Sequence, residues 1–182
     1  QKGLKSWNYN NVLPYFKKSE SIEGLDETYR NKNGPLKLSR SSEGNELSKV
    51  YLEAAEQAGY EINNDMNGYK QEGFGLMDTT IYGGRRQSTS VTYLHPVINR
   101  RNLTVITNTI VNKVIIENNK AIGVECTAGR EIKKIYADNE VILSAGAINS
   151  PQLLMLSGIG NAEELEKLDI SVQNDLRGVG EN

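Results

Sequence analysis

Apolar positions follow two different rhythms along this chain and divide it into two halves. Between Asn45 and Ala58, the residues Leu47, Val50, Tyr51, Ala54 and Ala58 recur at helical spacing. This predicts a helix with Gly59 as its C-terminal stop. After residue 100 the rhythm becomes strand-like. Leu103–Thr107, Ile110–Ile116, Ala121–Thr127, Glu131–Tyr136 and Val141–Leu143 read as strands, with turn sequences at Glu117-Asn118-Asn119-Lys120 and Ala128-Gly129-Arg130 between them. They predict an antiparallel meander. Alternation in Val111–Ile116 predicts one wet face and one buried face.

The last strand runs into the most informative stretch, Val141 to Gly160. An apolar run such as Val141-Ile142-Leu143 is expected to be covered on both faces. The small residues Ser144, Ala145, Gly146 and Ala147 that follow would let a ligand approach the backbone closely. Asn149 or Ser150 is expected to cap a helix with Pro151 in its first turn. Leu153, Leu154 and Leu156 would face inward, and the helix would stop at Ser157-Gly158-Ile159-Gly160, where glycine can be left-handed. Strand-to-helix junctions of this kind often hold nucleotide cofactors.

Residues 1–40 read as irregular, with a short apolar helix around Val12–Phe16 and a turn at Asn33-Gly34-Pro35. Residues 60–87 are rich in Asn, Asp, Gly and Tyr, and a loop of that length is usually functional or mobile. A short helix starting near Ser88 leads to His95. The pattern therefore predicts an α+β fold, an antiparallel β-meander plus helices, with an irregular and helical segment over 1–100 and the meander and strand-helix junction over 101–182.

Composition narrows the functions open to such a chain. Lys and Arg total 21 against 23 Asp and Glu, a net charge of -2, so no basic surface of the kind nucleic acid needs is expected. One Cys and one His exclude an intrachain disulfide and a metal-ligand cluster of these residues. No apolar run approaches the length of a membrane span, and no signal-peptide pattern opens the sequence. A cytoplasmic setting is expected, with association at a membrane surface left open. Beginning at Gln1, the chain reads as an excised piece of a longer protein.

The wording of the junction is more specific than its pattern. Gly146-Ala147-x-x-Ser150-Pro151-x-Leu153-Leu154-x-x-Ser157-Gly158-Ile159-Gly160 resembles the second signature of the glucose-methanol-choline family of flavin-dependent oxidoreductases. The resemblance runs through the chain. It includes Trp7-x-Tyr9-x-x-Val12-Leu13-Pro14-Tyr15-Phe16-Lys17-Lys18-Ser19-Glu20, Asp65 to Asp78, Gly84-Arg85-Arg86-x-Ser88-Thr89, Tyr93-Leu94, Arg101 to Val105 and Gly178-Val179-Gly180-Glu181-Asn182. Asp65 to Asp78 is similar to the choline-oxidising bacterial branch. The chain looks like a slice of the two-domain fold of that family, lacking the N-terminal Rossmann βαβ and the C-terminal catalytic part.

That resemblance implies FAD as cofactor and an alcohol such as choline as substrate, oxidised to betaine aldehyde by hydride transfer to the flavin. It implies that Val111 holds the adenine through its backbone N–H and C=O, and that Ala145 and Gly146 lie against the cofactor. Adenine offers a donor beside an acceptor, which a strand edge complements. Ordinary strand packing is the competing reading for Val111. Choline carries a trimethylammonium group that aromatic faces and a carboxylate would hold. Tyr69, Glu72, Phe74 and Tyr82 have that chemistry, the alternative being that Phe74 anchors the loop and Glu72 is solvated.

No catalytic residue is assigned to this chain, because the family's histidine pair would lie beyond Asn182. The family's Gly-x-Gly-x-x-Gly turn has no counterpart either: Gly158-Ile159-Gly160-Asn161-Ala162-Glu163 ends on Glu. Alone, the chain is expected to be inactive and to bind FAD weakly or not at all. Its partners would be the small-molecule alcohol, the remainder of the parent chain, and a membrane or electron acceptor if the parent docks on one. An oxidase, an oxidoreductase for another alcohol, a lyase and a non-catalytic flavin-binding module stay open on the same signature. His95 is read as a surface or helix-end residue and Cys126 as a small buried apolar one. Asn102-Leu103-Thr104 matches a glycosylation acceptor by a pattern that recurs by chance. Arg85 and Arg86 could meet a phosphate or carboxylate, or pair structurally.

Overall fold

The computed structural model describes residues 3–40 and 45–181. Gln1 and Asn182, the ends of the sequence read above, lie outside them. The chain forms two compact units, Gln1–Thr104 and Val105–Asn182. It mixes helices with small, mainly antiparallel sheets, as the α+β reading expects.

In the first unit, α1 (Tyr9–Ser19) starts where the Asn8 side chain accepts the Asn11 N–H at 3.0 Å. It is longer than the short helix expected around Val12–Phe16. Its C-terminal residue leads directly into β1 (Glu20–Ser21), which pairs in parallel with β2 (Leu36–Lys37). Next, β3 (Ser39–Arg40) pairs antiparallel with β4 (Asp78–Thr79). The predicted central helix is α2 (Glu46–Gln57), capped by the Asn45 side chain on the Leu47 N–H at 3.0 Å and followed by Gly59 at φ +83°. Its buried residue, however, is Ala55, while Leu47, Val50 and Tyr51 are exposed. The periodicity located the helix, but among the described residues of this unit only the Phe74 ring packs on its apolar stripe, against Tyr51, by a ring contact.

Residues 60–87 are more ordered than a bare loop. Ile62 bridges to Phe74, β4 lies within the stretch, and β5 (Ile81–Tyr82) and β6 (Arg85–Arg86) form a hairpin. Its two turn residues, Gly83 and Gly84, have φ of +56° and +73°, the left-handed pair that a tight hairpin turn requires. The helix expected near Ser88 is a π-helical turn, Ser90–Leu94, continuing into a 3₁₀ turn, His95–Val97.

The second unit is organised by β7 (Thr109–Glu117), β8 (Lys120–Ala128) and β9 (Glu131–Tyr136), an antiparallel sheet in that order. Asn118 and Asn119, at φ +51° and +62°, make the β7–β8 turn, and Gly129 at +63° lies in the β8–β9 turn. Both turns fall where the sequence places them. The simple alternation expected in β7 does not hold, because the register shifts between Val111 and Lys113 and again between Ile115 and Ile116. Each shift offsets which face a side chain meets. Beneath the sheet lie Val114 and Cys126, the latter a free thiol only 2% exposed.

Two of the expected strands are not formed. Leu103–Thr107 and Val141–Leu143 make no ladder, since a strand needs a partner and the described residues offer them none. Nor is the second run covered on both faces: Ile142 is 75% exposed. The helix after it, α3 (Gly146–Leu156), begins five residues before Pro151, which therefore lies inside it. Neither Asn149 nor Ser150 is the cap: Ala145 holds that position without a capping side chain, and the Ser150 hydroxyl, inside the helix, accepts the Ala145 N–H at 3.0 Å. The C-terminal stop at Ser157 and Gly158, φ +83°, falls where expected. Leu153 and Leu154 are half-buried, but Leu156 is exposed. Beyond α3, β10 (Ile159–Gly160) pairs in parallel with β11 (Asn174–Asp175), and α4 (Ala162–Lys167) buries Leu165.

A candidate cofactor cleft and a charged loop anchor

The sheet and α3 are joined by one hydroxyl. Ser157 is buried at the end of α3; its Oγ donates to the Leu153 carbonyl at 2.6 Å and accepts the Val114 N–H at 2.8 Å. Since β8 occupies only one side of β7, the other side is an open backbone edge, and Ser157 fixes the end of α3 to it. Sequence reading treated Ser157 as a helix stop. Only the second bond, 43 residues away in sequence, gives the residue its larger role.

Between this edge and α3 opens a cleft of about 400 Å³, lined by Ile110, Val111, Val124, the run Val141 to Ala145, Asn149, Gln152, Leu153 and Leu156. Two of the three predicted cofactor residues, Val111 and Ala145, therefore share one wall system, and Gly146 is the next residue in the chain. Val111 is 39% exposed on the strand edge rather than packed in a core. Gly146 takes φ +93°, and a Cβ there would meet nothing within 4 Å. The turn is thus open to close approach, as a ligand cradle needs. The Ala145 N–H is already bonded to Ser150, so Ala145 can offer its carbonyl and its small size but not a free donor. Mostly apolar walls with a few polar groups and an exposed strand edge suit the flat, hydrogen-bonding end of a dinucleotide.

The predicted substrate residues lie in the first unit. Tyr69 is 87% exposed, its ring 6.3 Å from that of Tyr29. Glu72 is exposed. Phe74 packs between Tyr60 and Tyr51, with ring centroids 4.9 and 5.6 Å away. Phe74 therefore anchors the loop, while Tyr69 and Glu72 are the members of the trio presented to solvent. Tyr82 is exposed on the β5–β6 hairpin, as are Arg85 and Arg86, which make no ion pair among the described residues. His95 is exposed at the start of its 3₁₀ turn, with Nε2 3.4 Å from the Ser90 hydroxyl. Asn102 is exposed.

Sequence reading missed Arg30 altogether. Its side chain, 3% exposed, meets three carboxylates: Glu20 through Nε at 3.0 Å and Nη2 at 3.2 Å, Asp65 through Nη1 at 2.5 Å, and Asp78 through Nη2 at 2.9 Å. The other Asp78 oxygen lies 3.6 Å from Arg40 Nε. Burial by itself would lower the Arg30 pKa; its hydrogen bonds to Glu20 and Asp78, with the charges of Glu20 and Asp65, outweigh it and hold the guanidinium above its ordinary value. A planar fork of five donors is what lets one cation serve three acids. No local pattern marks this cluster, because its members come from four separate segments. Among the described residues, no group of His, Cys, Asp and Glu could hold a metal ion.

The cleft lies where a strand edge meets a small-residue turn and a helix. Residues 1–182 match the GMC oxidoreductase family, and the chain belongs to that family. It is 50% identical over 182 residues to mitochondrial choline dehydrogenase of Mus musculus and 46% identical to the oxygen-dependent choline dehydrogenase of Brucella ovis, covering all of this chain and 30% and 33% of those relatives. Among solved structures, an FAD-dependent oxidoreductase from Chaetomium thermophilum superposes with a TM-score of 0.89 at 27% identity, covering 97% of this chain and 33% of that one. A formate oxidase superposes at 0.84 with 28% identity, covering 98% and 32%. The chain thus spans about a third of the length of its relatives. FAD is the cofactor of this family of oxidoreductases.

Proposed function

We propose that this chain is the middle part of an FAD-dependent dehydrogenase that oxidises choline to betaine aldehyde. The observation that carries the cofactor half of the reading is that Val111 and Ala145 line one cleft, with Gly146 next to Ala145 in the chain. The 50% identity to a choline dehydrogenase along the whole chain supports the substrate half. In this reading the adenine lies along the β7 edge, where the Val111 backbone supplies a donor and an acceptor, and the open turn at Gly146 admits the rest of the nucleotide. When bound, FAD supplies the hydride acceptor.

The first unit contributes to capture of the alcohol. Choline's cationic head group has no hydrogen-bond donor, so it is recognised by aromatic faces and negative charge. Tyr69 and Glu72 present both from one loop, and Phe74 keeps that loop in place. The base that takes the hydroxyl proton is not assigned to any residue of this chain. Its 1–100 part would belong mostly to the substrate or cap region, and 101–182 to the FAD-binding domain.

Anaerobic addition of choline to the full-length flavoprotein tests the assignment, with simple primary alcohols as controls. Bleaching of the oxidised flavin band by choline alone is expected. A bound flavin that stays oxidised with choline but is reduced by another alcohol would overturn the substrate and redirect it.

A further inference from the structure

The loop that carries Tyr69 and Glu72 begins and ends on the same buried cation. Asp65 and Asp78 bracket residues 66–77, and both carboxylates bind the Arg30 guanidinium, at 2.5 and 2.9 Å. Arg30 is in turn oriented by Glu20, whose Oε1 also accepts the Asn31 N–H at 3.1 Å. Inside the loop, the Asn63 side chain donates to the carbonyls of Lys70 and Glu72 at 2.7 and 3.1 Å and accepts the Asp65 N–H at 2.8 Å. Backbone bonds Asn63 N–H to Phe74 O, 2.7 Å, and Phe74 N–H to Glu61 O, 2.9 Å, hold its second half. Tyr29, the neighbour of Arg30, faces the Tyr69 ring. Asp65 is also tied to Asn63, and Asp78 to Arg40 across the β3–β4 pair, but the cation that the Asp65 and Asp78 side chains share is Arg30.

We propose that Arg30 is a positioning residue for substrate capture: it fixes both ends of the Asp65–Asp78 loop and thereby the placement of Tyr69 and Glu72. It touches no substrate itself. The role requires the fork geometry as well as the charge, because one guanidinium meets Asp65 through Nη1 and Asp78 through Nη2 while Nε and the same Nη2 bind Glu20. A lysine ammonium at the same position is a point charge and cannot hold that arrangement. This inference rests on the reading that the loop serves the alcohol.

The test uses the full-length flavoprotein with Arg30→Lys and Asp65→Asn, the second being isosteric and serving if the first fails to fold. Two readouts are taken together: KM and kcat for choline, and hydrogen exchange of amides 66–77 against those of 109–136. Expected are a KM at least tenfold higher, a kcat within twofold of wild type, and faster exchange confined to 66–77. Unchanged exchange in the loop would overturn the proposal. So would faster loop exchange with an unchanged KM, or a fall in kcat and flavin content with exchange rising throughout, which is the mark of a merely structural residue. If the wild-type protein does not oxidise choline, the functional reading fails separately, and the exchange arm still decides whether Arg30 holds the loop.

Discussion

Ser157 shows how much one small side chain can carry. Buried at the end of α3, its hydroxyl pairs the buried Val114 amide and gives the Leu153 carbonyl a second donor beside the Ser157 N–H. Replacing it with alanine leaves the Val114 N–H unpaired beside a dry helix end, a loss of about 1–3 kcal/mol. Ser157→Ala should therefore speed exchange of the Val114 amide by roughly five- to 150-fold while sparing the β8–β9 amides. Unchanged protection at Val114 would mean that water or another group replaces the hydroxyl there. Read as sequence, Ser157 looked like punctuation, because it leads into Gly158, where a helix can end on a left-handed residue.

At the scale of elements, the β7–β8–β9 meander was legible and its neighbours were not, for one physical reason. Hairpins are closed by local turn chemistry, and Asn118, Asn119 and Gly129 adopt the positive φ that their turns demand. Leu103–Thr107 and Val141–Leu143 have equally strand-like composition, yet a ladder depends on a partner that no local pattern supplies. The same distinction explains α2, whose stop at Gly59 was readable while the face it buries was not. Packing between strands is equally exacting. A Cβ on Gly123 would stand 2.3 Å from the Ile135 carbonyl oxygen, inside the β8–β9 pairing itself. Gly123→Ala should cost about 1–3 kcal/mol, seen as a lower melting temperature of the full-length protein. An unchanged melting temperature would show that the two strands can part without penalty.

For the whole molecule, the decisive quantity is uncovered apolar surface. The chain exposes 14398 Å², whereas even two separate compact units of half its mass would expose only about 10,600 Å². Trp7, Phe16, Leu47, Ile110, Ile142 and Ile148 are among the large apolar side chains in that surface. A cleft with such an uncovered rim binds weakly, because much of a ligand's apolar area stays wet. Residues 1–182 produced alone should therefore fail to bind FAD tightly, and stoichiometric quenching of flavin fluorescence on titration would contradict this. Two walls of the candidate cleft, Val111 and Ala145, were named from sequence, while their proximity across the space between β7 and α3 needed the fold. Arg30 was not legible at all.

One more consequence follows from the buried guanidinium. Its three carboxylates stand 10, 35 and 48 residues away along the chain. Loop-closure entropy grows only logarithmically, so the longest of these rings costs about 1.4 kcal/mol more to close than the shortest. A single side chain thus ties four distant points of the polypeptide into nested rings at modest entropic cost. In a sequence with one cysteine, where no covalent bridge within the chain can form, Arg30 is a reversible cross-link, strong in a dry interior and open to exchange whenever water enters.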